Sequence, residues 1–152
     1  MTPGTISKRV VSDRLDWVDR MVNEIRALPL NDRQQFFSDR RNVGMAESCL
    51  RRGLEALFDV GRHILAKGFA VGVSEYKEIV AGLKSQAVIS DEIADLMRLL
   101  AGYRNRLVHF YHEVTPDELY DICASHLSDL ERAASAYREW LKNHPEYLDE
   151  TL

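Results

Sequence analysis

The chain has 152 residues, is 45% apolar and 29% charged, and carries a formal net charge of −4. That is enough chain to bury one core and too little for several domains. The acidic balance argues against broad, nonspecific nucleic-acid binding, which needs a basic surface. It leaves room for a local basic pocket, because fifteen of the twenty basic residues are Arg, the side chain suited to bidentate phosphate contacts.

No apolar run approaches the roughly 20 residues of a membrane span. The first nine residues lack the apolar stretch of a signal peptide, so the expected location is the cytoplasm. Cys49 and Cys123 stand far apart with no CxxC, the pattern of reduced structural thiols.

In chain order the pattern is helical almost throughout. Val11, Leu15, Val18, Val22 and Ile25 recur at three- and four-residue steps, which predicts a first helix over 7–28, ended by Pro29. Asn31, with Gln34 three residues later, reads as a capping box. It opens a long helix over 32–67 whose apolar face includes Phe36, Val43, Leu50, Leu57 and Leu65, with a bend expected near Gly44 or Gly53. Gly68 and Gly72 mark a loop. Ser74 starts a short helix with Tyr76, Ile79, Val80 and Leu83.

Ser90, followed by Asp91 and Glu92, is a good N-cap. The helix it starts carries Ile93, Leu96, Leu99, Leu100, Tyr103, Leu107 and Phe110. Thr115-Pro116-Asp117-Glu118 is another start signal, with Thr as cap and Pro at the first helical position. The last helix runs through Leu119, Ile122, Leu127, Leu130, Ala134, Tyr137 and Leu141 and ends before Pro145. His63 and His126 sit in apolar helical pattern and read as partly buried structural residues. The expected fold is all-α: one domain over 1–145, an antiparallel bundle of four to five helices without a convincing strand, and a loose tail over 146–152.

One octapeptide stands out from this scaffold. Arg104-Asn105-Arg106-Leu107-Val108-His109-Phe110-Tyr111 places a guanidinium, a carboxamide, an imidazole and a phenol close together. With Leu107 set toward the core beside Tyr103 and Phe110, Arg104 and Tyr111 share an azimuth about 50° away. Asn105, His109 and His112 form a stripe on the opposite side, so Arg104 and His109 are about 140° apart on an ideal helix. A leaning Arg side chain, a distorted helix end or a second subunit would be needed to bring them together. Val108 between the stripes would suit a subunit interface.

This set suffices for metal-independent RNA cleavage. Histidine exchanges a proton near neutral pH, and arginine braces a phosphate and stabilises charge growing on it. Asn can orient a ribose hydroxyl or an imidazole. A base takes the 2′-hydroxyl proton, the oxygen attacks the adjacent phosphate, and a cyclic phosphate and a 5′-hydroxyl result. DNA lacks that hydroxyl and should resist. On the residues alone a solvated helix face is the more common outcome for such a pattern, and the density of polar groups is what raises the catalytic reading. His109-x-x-His112-Glu113 lacks the further ligands a stable metal site wants, so neither metal nor cofactor is expected.

The order Arg, four residues, His, one residue, Tyr resembles the signature of the HEPN ribonucleases, with Asn105 as the polar residue after the Arg. Ala46–Leu50, Leu54–Leu65, Tyr76–Ile79 and Leu99–Asn105 are similar to the HepT-like toxins of toxin–antitoxin pairs, and the likeness runs from about Asp39 to Trp140. The resemblance implies a HEPN-like homodimer with two motif copies lining a cleft at the interface. It makes Arg104 and His109 the catalytic pair of an endoribonuclease toxin cleaving tRNA or mRNA, assisted by Asn105, with Arg106 and His112 as further candidates to contact RNA. The implied partner is an MntA-like nucleotidyltransferase antitoxin that transfers AMP to Tyr111. The same resemblance also admits a non-catalytic helical module that binds a nucleotide or that partner.

Overall fold

A computed structural model of the chain describes residues 4–109 and 114–151. Seven α-helices account for most of the described residues: α1 (Lys8–Arg26), α2 (Arg33–Phe37), α3 (Arg40–Phe69), α4 (Tyr76–Ser85), α5 (Asp91–His109), α6 (Pro116–Ser125) and α7 (Leu127–Asn143). The fold is all-α, as the periodicity predicts. Two of the expected helices are each divided in two, which raises five to seven.

Both divisions fall where no Gly or Pro announces them. The expected helix over 32–67 breaks at Ser38–Asp39, not at Gly44 or Gly53. Asp39 takes an extended backbone, and its carboxylate accepts from the Arg41 backbone N–H to start α3. The Asn42 side chain then donates back to the Phe36 carbonyl at 3.0 Å and ties α2 to α3. The cap of α2 is Asp32 rather than Asn31, accepting from Gln35 N–H. The second division falls at His126, which leaves helical geometry (φ −125°) between α6 and α7. His126 is exposed there, against the expectation of partial burial, whereas His63 is half-buried as expected.

The predicted caps of α5 and α6 form. Ser90 Oγ accepts from Ile93 N–H, and Thr115 Oγ1 accepts from Glu118 N–H. Such bonds satisfy backbone donors that the first helical turn leaves orphaned.

The long helix α3 is the spine of the core. It buries Cys49, Leu50, Leu54, Leu57, Phe58, Ile64 and Leu65. Close approach to its neighbours depends on Gly61, where an added Cβ would lie 2.7 Å from the Tyr137 hydroxyl and 2.8 Å from Ile79. Cys123 is buried, and that burial pushes its thiol up to about 12, so it behaves as core rather than as a nucleophile.

The two ends of the chain meet. Ile6–Ser7 (β1) and Leu148–Asp149 (β2) pair in parallel, Ile6 opposite Leu148. The tail expected to be loose is docked over 148–149, and this pair is the one β element among the described residues. Beneath it, His63 Nε2 accepts the Ser7 backbone N–H at 3.0 Å. No helix among the described residues is long and apolar enough to cross a membrane.

Candidate active site

Most of the octapeptide lies on the last turns of α5, which ends at His109 among the described residues. Tyr111 and His112 fall outside the described residues, as does Phe110.

The buried face of α5 is not the one the Leu pattern suggests. Its buried residues are Ala94, Met97, Leu100, Ala101 and Leu107, whereas Leu99 is 48% exposed. Arg104 stands seven, four and three residues after Met97, Leu100 and Ala101, and these spacings share one helix face. Arg104 therefore continues the core stripe, rather than lying about 50° off it. Its guanidinium carbon sits 4.5 Å from the centroid of the Tyr76 ring. Its Nε is buried without a hydrogen-bond partner. Its one side-chain hydrogen bond among the described residues is a long one, Nη1 donating to Asn105 Oδ1 at 3.4 Å.

Tyr76 opens α4 and is 8% exposed. Its other side is filled by Phe58 of α3, stacked at 4.4 Å between centroids with 25° between planes. Burial pushes the Tyr76 phenol up, and the charge of Arg104 opposes that shift. The sequence reading places Tyr76 on the apolar face of a short helix and assigns it no part in the site. Local spacing carries no signal for it, because α3, α4 and α5 meet only in the folded chain.

The acidic groups around Tyr76 are already paired. Asp59 accepts from Arg62 Nη1 at 2.6 Å and lies 4.0 Å from Arg14, and Glu55 accepts from Arg51 at 3.2 Å. Among the described residues no carboxylate pairs with Arg104.

Arg106 is held differently. Its guanidinium makes a two-pronged ion pair with Glu118, at 2.7 and 2.5 Å. That hydrogen-bonded partner holds the Glu118 carboxyl below the usual carboxylate range. Glu118 stands three residues after the Thr115 cap, the position from which a capping box is completed. Thr115 does cap α6, but the Glu118 side chain goes to α5 instead. Arg106 is thus a candidate RNA contact that must exchange one partner for another.

His109 is exposed at the last described position of α5. Exposed Leu99 and Gly102, where an added Cβ meets nothing within 4 Å, lie on the same outer side of the helix. The described concavities lined by Trp140 and His144, or by Arg138 and Lys142, include none of the octapeptide. The chemistry points to α5, where a guanidinium with no carboxylate partner among the described residues lies 4.5 Å from a buried aromatic ring; Arg20 and Arg52 also lie over a ring, that of Trp17, but farther away, at 5.4 and 5.8 Å. Among the described residues no three His, Cys, Asp or Glu side chains converge in a way that could hold a metal ion.

Comparison with known proteins identifies the family and the fold. The model of the family described as "Ribonuclease HepT-like" matches residues 18–137. The tRNA nuclease HepT of Aphanizomenon flos-aquae is 22% identical over 111 residues, spanning 73% of this chain and 76% of that protein. Among solved structures, the tri-AMPylated Shewanella oneidensis HEPN toxin in complex with its MNT antitoxin superposes with a TM-score of 0.76 at 22% identity, covering 86% of this chain and 97% of that one. YutE, a cytosolic protein of unknown function from Bacillus subtilis, superposes with a TM-score of 0.75 at 18% identity over 95% of this chain and 98% of its own. At these identities the structures speak for the fold alone.

Proposed function

This chain belongs to the HepT-like ribonuclease family, and on that premise we propose that it is the toxin of a toxin–antitoxin pair: a metal-independent endoribonuclease. The observation that carries the reading is the state of Arg104. A buried-shafted guanidinium with no carboxylate partner among the described residues is poised for an anion that the chain does not itself supply.

In the reaction, the 2′-hydroxyl of RNA loses its proton to His109 as its oxygen attacks the adjacent phosphorus. Arg104 stabilises the charge that builds on the phosphoryl oxygens, where pre-placed donors contribute most. The bond to the 5′-oxygen breaks, that oxygen takes up a proton, and a cyclic phosphate remains. Asn105, in contact with Arg104, assists by orienting it or the ribose. Arg106 and His112 would contact the RNA outside the reacting phosphate. Inward Arg104 and outward His109 fit a homodimeric cleft in which the two groups of one site come from different subunits. Exposed Leu99 and open Gly102 are suitable surface for that contact. The acidic net charge suits a narrow substrate, such as one exposed loop of a tRNA or mRNA.

The neutralising partner would be an MntA-like nucleotidyltransferase. The Tyr111 phenol oxygen would attack the α-phosphorus of ATP, releasing pyrophosphate and a proton and leaving AMP on the ring. The modification adds bulk and negative charge where the RNA phosphate must dock.

The deciding assay is cleavage of tRNA and mRNA in EDTA by protein shown by mass to lack AMP on Tyr111, beside Arg104→Ala and His109→Ala. Wild-type cleavage leaving cyclic-phosphate ends, lost in both variants, supports the nuclease. A folded, unmodified protein that cleaves nothing would leave a non-catalytic module binding a nucleotide or the antitoxin.

A further inference from the structure

We infer that Tyr76, backed by Phe58, is the positioning residue that sets Arg104 for catalysis, holding the guanidinium through its charge while leaving its terminal Nη–H donors to the substrate. The inference rests on the nuclease reading of Arg104 and adds a residue that motif spacing does not reach.

Two guanidiniums lie near the Tyr76 ring, and they differ in what they have left to give. Arg62 is 6.0 Å from the centroid and is spent: one nitrogen donates to Asp59 and another to the Ser74 carbonyl at 3.1 Å. Those bonds fix the segment that leads into α4 and so place Tyr76. Arg104 is nearer, at 4.5 Å, and among the described residues its one hydrogen bond is the long contact to Asn105. A carboxylate would hold an arginine more tightly, but it would consume two donors and cancel the charge a phosphate needs. An aromatic face attracts the cation through its quadrupole and takes up no hydrogen-bond donor.

The platform is also rigid. Phe58 is fully buried on α3, and Tyr76 stacks on it at 4.4 Å. Asp59 and Glu55, the carboxylates close enough to act on the Tyr76 phenol, are paired with other arginines and do not compete for Arg104. The ring thus gives Arg104 a fixed place at low cost to its binding capacity, which is what pre-organisation for a developing charge requires.

The test separates ring electronics from ring shape. Phenylalanine, then mono-, di- and trifluorophenylalanine, would be placed at position 76 of the full chain, with Tyr76→Leu as the non-aromatic end point. Fluorine drains the negative face of the ring with little change in volume, so the fold is kept while the cation–π attraction fades. The expected result is that Tyr76→Phe retains most of the rate, kcat then falls stepwise by about tenfold in all with KM little changed, and thermal midpoints stay level. In parallel, the Arg104 Nε–H resonance, assigned by its loss in Arg104→Lys, should be shifted upfield by the ring and should move back in Tyr76→Leu.

A flat rate across the fluorinated series, or Tyr76→Phe falling as far as Tyr76→Leu, would overturn the inference. Wild-type protein that cleaves no RNA would remove the nuclease reading instead. The Arg104 resonance then decides on the platform separately: a shift lost in Tyr76→Leu supports it, and a signal indifferent to residue 76 overturns it.

Discussion

Two arginines on α5, only two positions apart, are held by opposite means. Arg104 continues the buried stripe of the helix and rests on an aromatic ring, without a carboxylate partner among the described residues. Arg106, about 160° around the helix, is clamped by both oxygens of Glu118. The second arrangement joins α5 to α6 and neutralises the charge. The first keeps the charge available. Two chemically identical side chains on one helix are thus held differently, Arg106 tied to the scaffold and Arg104 left with its charge unneutralised by any described carboxylate.

The contrast predicts unequal consequences. Arg104→Ala should lower RNA cleavage by at least about a hundredfold, mostly in kcat, as loss of a donor aimed at developing charge does. Arg106→Ala should act mainly on KM, by a few-fold, and weaken the salt dependence of binding. Equal losses in both, measured by steady-state cleavage, would erase the distinction.

Next in size is an indirect blow to the Arg104 side. Gly61→Ala would drive a methyl against Tyr137, Ile79 and Leu83, and so force α4 away from α3. The expected destabilisation is about 2 kcal/mol in a denaturant melt. Because Tyr76 leads α4, activity should fall further than the unfolded fraction explains. Glu118→Gln tests the other side. It breaks a pair about one-third exposed and worth about 0.5–1 kcal/mol, and should lower stability by that much while leaving cleavage sensitive to Arg104.

The smallest effect lies far from both arginines and serves as a control. Burial, with Lys67 and Arg14 nearby, lowers the His63 pKa below its usual 6.5. The unfolded chain therefore takes up the proton first. Stability should be full above about pH 6.5 and decline as the pH falls from there toward the folded-state pKa. The physical reason is that protonated Nε2 can no longer accept the Ser7 N–H. His63→Gln should flatten that slope of melting temperature against pH, and an unchanged slope would place the effect on other groups.

Much of the fold was legible because helices announce themselves locally. Ser90 and Thr115 cap α5 and α6 where their hydroxyls were expected to. The breaks at Asp39 and His126 were not legible, since apolar periodicity runs through both and no Gly or Pro interrupts it. The azimuth of Arg104 was misjudged for a related reason. Ala94 and Ala101 are buried and define the core face, but alanine carries little hydrophobic signal, and exposed Leu99 carries a misleading one. Leu148–Asp149, too short to show any period, found a partner at the other end of the chain.

The sequence by itself determined the all-α class, most helix starts and the octapeptide, because each depends on residues within a few positions of one another. Only the tertiary structure decided which of two neighbouring arginines pairs with a carboxylate and which, among the described residues, does not. That choice rests on Tyr76 and Phe58 from one side and Glu118 from the other, groups on α3, α4 and α6 that meet α5 only when the bundle packs.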